Sequence, residues 1–184
     1  VAGFVALLFF FYNISQIPLG EAMTFSKTST IFTAILAYFL LKEKLGIKGW
    51  LGVFVGFIGI IFITEFDGST LKKTDYLGIL SGVGAALAYT SVRELRKFYD
   101  SRAIVLSFMT IGTIGPLILM IVSSFYSNSS LDFMLGSFVM PQPDDWIYII
   151  LLGFFATFAQ IYMTKAYSFA KAGIIGTISY SNIL

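Results

Sequence analysis

The sequence predicts an all-α fold, a polytopic bundle of transmembrane helices. Three observations predict it: 57% of the 184 residues are hydrophobic, only 12% are charged, and the apolar residues fall in long blocks parted by short polar turns. Soluble domains carry about 45–50% apolar and about 25% charged residues, so too few charges remain here to coat a water-facing surface. The mean hydropathy of +0.86 agrees.

A spanning helix needs about 20 apolar residues to cross about 30 Å of hydrocarbon. Backbone groups left unpaired in lipid are too costly for an open alternative. The first such block runs from Val1 to Gln16, and the second, past Pro18, from Gly20 to Leu41. Trp50 to Thr64 gives a third, Tyr76 to Leu95 a fourth, and Ala103 to Phe125 a fifth, with Gly115-Pro116 inside it as a kink site. Trp146 to Lys165 gives a sixth, and a seventh begins near Ala172. Val1 opens inside an apolar run and Leu184 closes inside one, so both ends read as truncations. Trp50, Tyr76, Trp146 and Tyr148 sit at block ends, where amphipathic rings meet the membrane interface.

Short loops rich in Lys and Arg stay cytoplasmic. Lys42, Lys44 and Lys48 fall between the second and third blocks, Arg93, Arg96, Lys97 and Arg102 between the fourth and fifth, and Lys165 and Lys171 between the sixth and seventh. These loops are assigned to the cytoplasm. The alternate loops carry only Lys72 and Lys73 against Glu21, Glu65, Asp67, Asp75, Asp132, Asp144 and Asp145, and are assigned to the opposite side. One miscounted helix would reverse every later loop, so the unbroken alternation supports the whole set of spans.

Composition also excludes functions. With no Cys and no His, the usual zinc sites, iron–sulfur clusters, thiol nucleophiles and imidazole bases are absent. No cofactor and no metal are expected. The net charge of +2 is small and its basic residues are scattered between apolar blocks, so nucleic acid is not an expected partner. No glycine-rich loop ending in Gly-Lys-Ser/Thr is present, which leaves nucleotide-driven transport within this chain unsupported. Gly52, Gly56 and Gly59, and Gly78, Gly82 and Ala86, form small-residue faces that let helix backbones approach closely.

One stretch carries more than hydropathy. FYNISQIPLGEAMTFSKTSTIFTAILAYFLLKEKL is a helical hairpin ending in a basic-acidic-basic turn, and it resembles the third-to-fourth helix region of EamA-type proteins in the drug/metabolite transporter superfamily. GWLGVFVGFIGIIFI is similar to that family's glycine-rich fifth helix. DYLGILSGVGAALAYTSVRELRKF resembles the start of a second copy, and IYMTKAYSFAKAGIIGTISYSNIL the counterpart of the first hairpin. Ile14, Gly20 and Thr30 then correspond to Ala166, Ala172 and Asn182. The resemblance implies a ten-helix plan of two five-helix repeats in inverted topology. Residues 1–66 are the end of the first repeat and 75–184 most of the second. Family members move metabolites, often outward, without hydrolysing nucleotide. A proline common in the family's fourth and ninth helices is replaced here by Thr30 and Asn182, which puts bending at those points in question.

The residues that would line a pathway follow from polar side chains inside apolar blocks. Lys27, flanked by Ser26 and Thr28, is the foremost, because a lysine at mid-membrane costs about 2.5–3.5 kcal/mol and usually faces a bundle interior or a wet cavity. Two readings stay open: contact with a substrate, or snorkelling toward the nearer interface. Ser26, Thr30 and Thr33 make a polar stripe on the same block, and Thr157, Gln160 and Thr164 another on the sixth. The stripes either line opposite walls of one cavity or bond between helices. Asn13, Gln16, Tyr89, Tyr180 and Asn182 are lesser candidates.

The function expected is a secondary transporter, most simply an exporter, of small organic metabolites or amphipathic compounds in a bacterial inner membrane. It would work by alternating access. A membrane scaffold or sensor, or an enzyme acting on lipid, are the rivals; the latter lacks the acidic or His cluster it would need. Membrane lipids, a small-molecule substrate and a second copy of the chain in a homodimer are the expected partners.

Overall fold

The computed structural model describes residues 1–63, 71–126, 131–136, 138–171 and 174–175. Among the described residues there are seven α-helices and no strand. They are α1 (Ala2–Gln16), α2 (Leu19–Lys27), α3 (Ser29–Leu40), α4 (Ile47–Ile63), α5 (Lys73–Leu95), α6 (Ser101–Ser123) and α7 (Asp145–Phe169).

α6 and α7, with 23 and 25 residues, are each long and apolar enough to cross a membrane. Their apolar side chains point away from the bundle: Leu106, Leu117, Ile121, Leu152 and Phe155 are all exposed, as are Phe54, Val55 and Phe62 of α4. A soluble core helix buries such residues, whereas a lipid-facing helix leaves them bare. The chain is an all-α integral membrane protein.

The second predicted block is not one helix. It is interrupted at Thr28, between α2 and α3, where the Thr28 N–H bonds to Phe25 O at 3.0 Å and the Thr28 hydroxyl donates to the same carbonyl at 2.6 Å. The expectation of a continuous helix from Gly20 to Leu41 is corrected here. A threonine hydroxyl that bonds back onto the preceding turn competes with the helical ladder and bends it. The interruption falls two residues before Thr30, and it needs no proline.

α5 is the hub of the bundle, packed against α1, α2, α3 and α7. Lipid tails are as apolar as leucine, so helices in a membrane associate by close contact more than by hydrophobic burial. The small residues of α5 provide that contact. A Cβ on Gly78 would fall 2.5 Å from the Phe25 ring and 2.9 Å from Asn13 Nδ2, and one on Gly84 would fall 2.9 Å from Ala6 Cβ. Of the α4 glycines Gly49 packs against Leu45 and Gly56 against Ile31, while Gly52 and Gly59 face open space.

The two ends of the bundle differ in charge. Lys42 and Lys44 from the α3–α4 turn, Arg93 and Lys97 from the end of α5 and just beyond it, and Lys171 from just beyond α7 line one cavity at one end. At the other end Tyr12 from α1, Lys73 from α5 and Asp132 from the α6–α7 connection meet: the Tyr12 hydroxyl donates to Asp132 Oδ2 at 3.2 Å and Lys73 pairs with Asp132 Oδ1. The Lys73 ammonium also lies 4.9 Å over the Tyr12 ring. The chain therefore crosses the bundle in alternation, with α2–α3, α5 and α7 running toward the basic end and α1, α4 and α6 away from it.

Candidate substrate pathway

Two of the buried polar atoms that the packing leaves without partners are hydroxyls on α3 and α7. Thr33 and Thr164 are each 1% exposed, and neither hydroxyl has a hydrogen-bond partner. Other threonines on these helices behave in the ordinary way: Thr90 Oγ1 donates to Ala86 O at 2.8 Å and Thr157 Oγ1 to Gly153 O at 2.7 Å. A buried hydroxyl without a partner costs about 1–3 kcal/mol.

Thr33 and Thr164 lie at the same depth. Ala37 and Tyr167 pack in one buried cluster with Tyr89, Val92 and Met163. Thr33 precedes Ala37 by four residues and Thr164 precedes Tyr167 by three, on helices that run the same way. At 1.5 Å per residue both hydroxyls sit about one turn from that contact, on the side away from the basic end. Tyr89 stacks on Tyr167, on the basic-end side of the two threonines, with ring centroids 5.7 Å apart and planes inclined by 20°.

Arg93 ties the backbone beneath this stack to the basic end. Its Nη1 donates to the Tyr167 carbonyl at 2.7 Å and its Nε lies 3.4 Å from Glu43 Oε1, so one guanidinium joins α5, the end of α7 and the α3–α4 turn. Sequence reading used Arg93 only for topology. No signal in the sequence singled it out, because an arginine near a helix end is ordinary until its partners are seen.

Beside this interior a cleft of about 400 Å³ runs between α3 and α4 from Thr30, past Ile31, Ala37 and Val53, to Lys44, Lys48 and Lys171. Its walls are apolar and its mouth is cationic.

The predicted residues are thus distributed as follows. Lys27 is half-buried as the last residue of α2, where its charge suits the helix C-terminus. Ser26 is half-buried on α2, while Thr30 and Thr33 are buried on α3, so the interruption divides that stripe between two helices. Thr157 and Gln160 are half-buried and Thr164 is buried. Asn13 is buried on α1 and donates to Thr74 O at 2.9 Å, with its Oδ1 unpaired. Gln16 is exposed at the end of α1, where it donates to Ser15 Oγ at 3.2 Å. Tyr180 and Asn182 lie outside the described residues. Among the described residues no group of three or more acidic side chains is placed to hold a metal ion.

This arrangement defines a polytopic helical membrane protein with a polar interior and a cleft open at one end. Comparison with known proteins carries the assignment further. The EamA-like transporter family matches residues 1–65. An uncharacterized transporter of Helicobacter pylori is 35% identical over 185 residues, which cover 100% of this chain and 60% of that protein. The pseudopaline exporter of Pseudomonas aeruginosa is 25% identical over 186 residues, covering 100% of this chain and 61% of the relative. A riboflavin transporter of Brucella anthropi is 26% identical over 161 residues, covering 88% of this chain and 54% of its own length. No solved structure matches. The chain is similar to EamA-type proteins of the drug/metabolite transporter superfamily, with the family itself matched over residues 1–65. It spans about three fifths of the length of the first two relatives. The family and these relatives are named as transporters, not enzymes.

Proposed function

We propose that the protein is a secondary transporter, working as an exporter, that carries small organic metabolites or amphipathic compounds across a bacterial inner membrane. The Lys42–Lys48, Arg93–Arg102 and Lys165–Lys171 loops face the cytoplasm in this reading. Residues 1–66 and 75–184 belong to two repeats of opposite topology that rock against each other about the interior between α3, α5 and α7. Lipids surround the bundle, and two copies associate as a homodimer.

The observation that carries the proposal is the pair of buried, unpartnered hydroxyls of Thr33 and Thr164 at one depth, beside the Tyr89–Tyr167 stack. A purely structural interior pairs its polar atoms, whereas a pathway leaves donors for a passing solute or its water. The tyrosine pair then acts as the barrier toward the cytoplasm, and Arg93 holds that barrier shut. The one-residue interruption at Thr28 supplies a hinge, since a short 3₁₀-like step within a helix is a common site of bending. Lys27 beside the hinge contacts an anionic group of the substrate. The apolar cleft with a cationic mouth suits an amphipathic solute.

The test is accessibility. The chain has no cysteine, so single Thr33→Cys and Thr164→Cys variants can be challenged with a water-soluble maleimide. Labelling that rises when Tyr89→Ala removes the stack supports a gated pathway. Two cysteines that stay unlabelled in every state, in cells whose export of metabolites matches a deletion strain, would leave the interior as packing only.

A further inference from the structure

The basic end of the bundle carries a further cavity, which shares Lys44 and Lys171 with the mouth of the cleft. It measures about 380 Å³ and lies under the α3–α4 turn, walled by Lys42, Glu43, Lys44, Arg93, Lys97 and Lys171. Arg93 is paired with Glu43 at 3.4 Å and Lys97 with Glu94 at 2.6 Å. Among the described residues Lys42, Lys44 and Lys171 form no ion pair, and all three are exposed. Three like charges around one cavity repel one another unless an anion sits between them.

Lys42 provides a separate observation. Its φ of 53° makes it the one described non-glycine residue in the left-handed region. It follows Leu41, the C-cap of α3, at the position where glycine is favoured because it carries no Cβ. The turn brings the Glu43 N–H onto Ala37 O at 3.1 Å, a carbonyl that also accepts from the Leu41 N–H. A lysine thus holds a conformation that glycine would hold at lower cost, with its side chain on the cavity wall.

We propose that this cavity is an anion site for a phosphate-bearing group, held by Lys42, Lys44 and Lys171. A phosphate offers several acceptor oxygens, and the compact ammonium of lysine binds it as a point charge. Basic pockets between helices at a membrane surface take anionic headgroups. The same chemistry comes from two sources, an anionic phospholipid or a soluble phosphate ester. The site requires that the basic end lie at the membrane surface and is independent of whether the protein transports anything.

The experiment is thermal unfolding of the purified protein in phosphatidylcholine nanodiscs at constant ionic strength. One arm adds increasing phosphatidylglycerol to the bilayer, and the other adds glycerol 3-phosphate to the solution. The unfolding midpoint rises in one arm, and that arm identifies the source. Half-saturation moves to about fivefold higher ligand in Lys44→Gln and in Lys171→Gln, as expected for the loss of one cation beside an anionic group at a membrane surface. It stays put in Lys72→Gln, at the opposite end of the bundle. Lys42→Gly separates strain from charge: the unliganded midpoint goes up while the response weakens about fivefold. No rise in either arm overturns the proposal, as does a response that the Lys44 and Lys171 variants leave intact or that Lys72→Gln weakens equally.

Discussion

Gly82 of α5 lies directly against Thr28, the residue at which the second span is interrupted. A methyl group on Gly82 would collide with Thr28 Oγ1 and come within 3.3 Å of Ser29 N and 3.4 Å of Phe25 O. Because that hydroxyl is already committed to Phe25 O at 2.6 Å, it has no free direction in which to retreat. Gly82→Ala should therefore lower stability by about 1–3 kcal/mol, the usual cost of overpacking. Gly52→Ala, where a Cβ meets nothing within 4 Å, should be neutral or gain about 1 kcal/mol from helix propensity. Paired unfolding midpoints in detergent check both.

Thr33→Val and Thr164→Val should leave the fold unharmed. Each replaces an unpartnered buried hydroxyl by a methyl of similar size, so stability stays within about 1 kcal/mol or rises. Transport should fall in the same variants, because the polar atoms offered to the solute are gone. Unfolding midpoints and proteoliposome flux, measured side by side, separate the two effects.

Arg93→Lys should cost more than a conservative exchange suggests. The guanidinium serves Tyr167 O and Glu43 at once, and a single ammonium cannot reproduce that fork. Loss of the donor to a half-buried carbonyl and carboxylate lowers stability by about 1–3 kcal/mol. It also loosens the Tyr89–Tyr167 stack, so labelling of Thr164→Cys from the basic side should accelerate in the double variant.

The strap at the other end should respond to acid. Asp132 is held below the usual carboxylate range, first by its hydrogen bond from Lys73 and then by that from Tyr12. Its folded pKa is thus lower than its unfolded one. The contribution of the pair is complete above the ordinary carboxylate range and is lost as pH falls through the lowered value. Hydrogen exchange of residues 131–136, compared at each pH with Asp132→Asn, should show protection from neutral pH down to mildly acidic conditions, with convergence on the variant only in stronger acid.

Most of the fold was legible in the sequence because the membrane makes one demand on every span. Length and hydropathy located α1, α4, α5, α6 and α7 to within a few residues, and alternating charge placed Lys44, Arg93 and Lys171 at one end. The interruption at Thr28 was not legible. No proline or glycine marks it, and its cause is the hydroxyl bond to Phe25 O together with the space that Gly82 provides some fifty positions later in the chain. The candidate pathway was half legible. Thr30, Thr33 and Thr164 stood out as polar residues at helical spacing, but Thr157 has the same appearance and bonds its own backbone. Tyr167 and Arg93 went unremarked as site residues, since a tyrosine near a helix end and an arginine near a loop have ordinary explanations until their partners are seen.

The most direct test of the account is where each end of the bundle lies. Single cysteines placed at Lys44, Lys97 and Lys171, and separately at Lys72 and Asp132, can be labelled in intact cells with a membrane-impermeant maleimide before and after permeabilisation. With the basic end assigned to the cytoplasm by its Lys and Arg content, the first three should react only after permeabilisation and the last two before it. Labelling of Lys44→Cys and Asp132→Cys from the same side would contradict the alternating spans, and with them the transporter built on those spans.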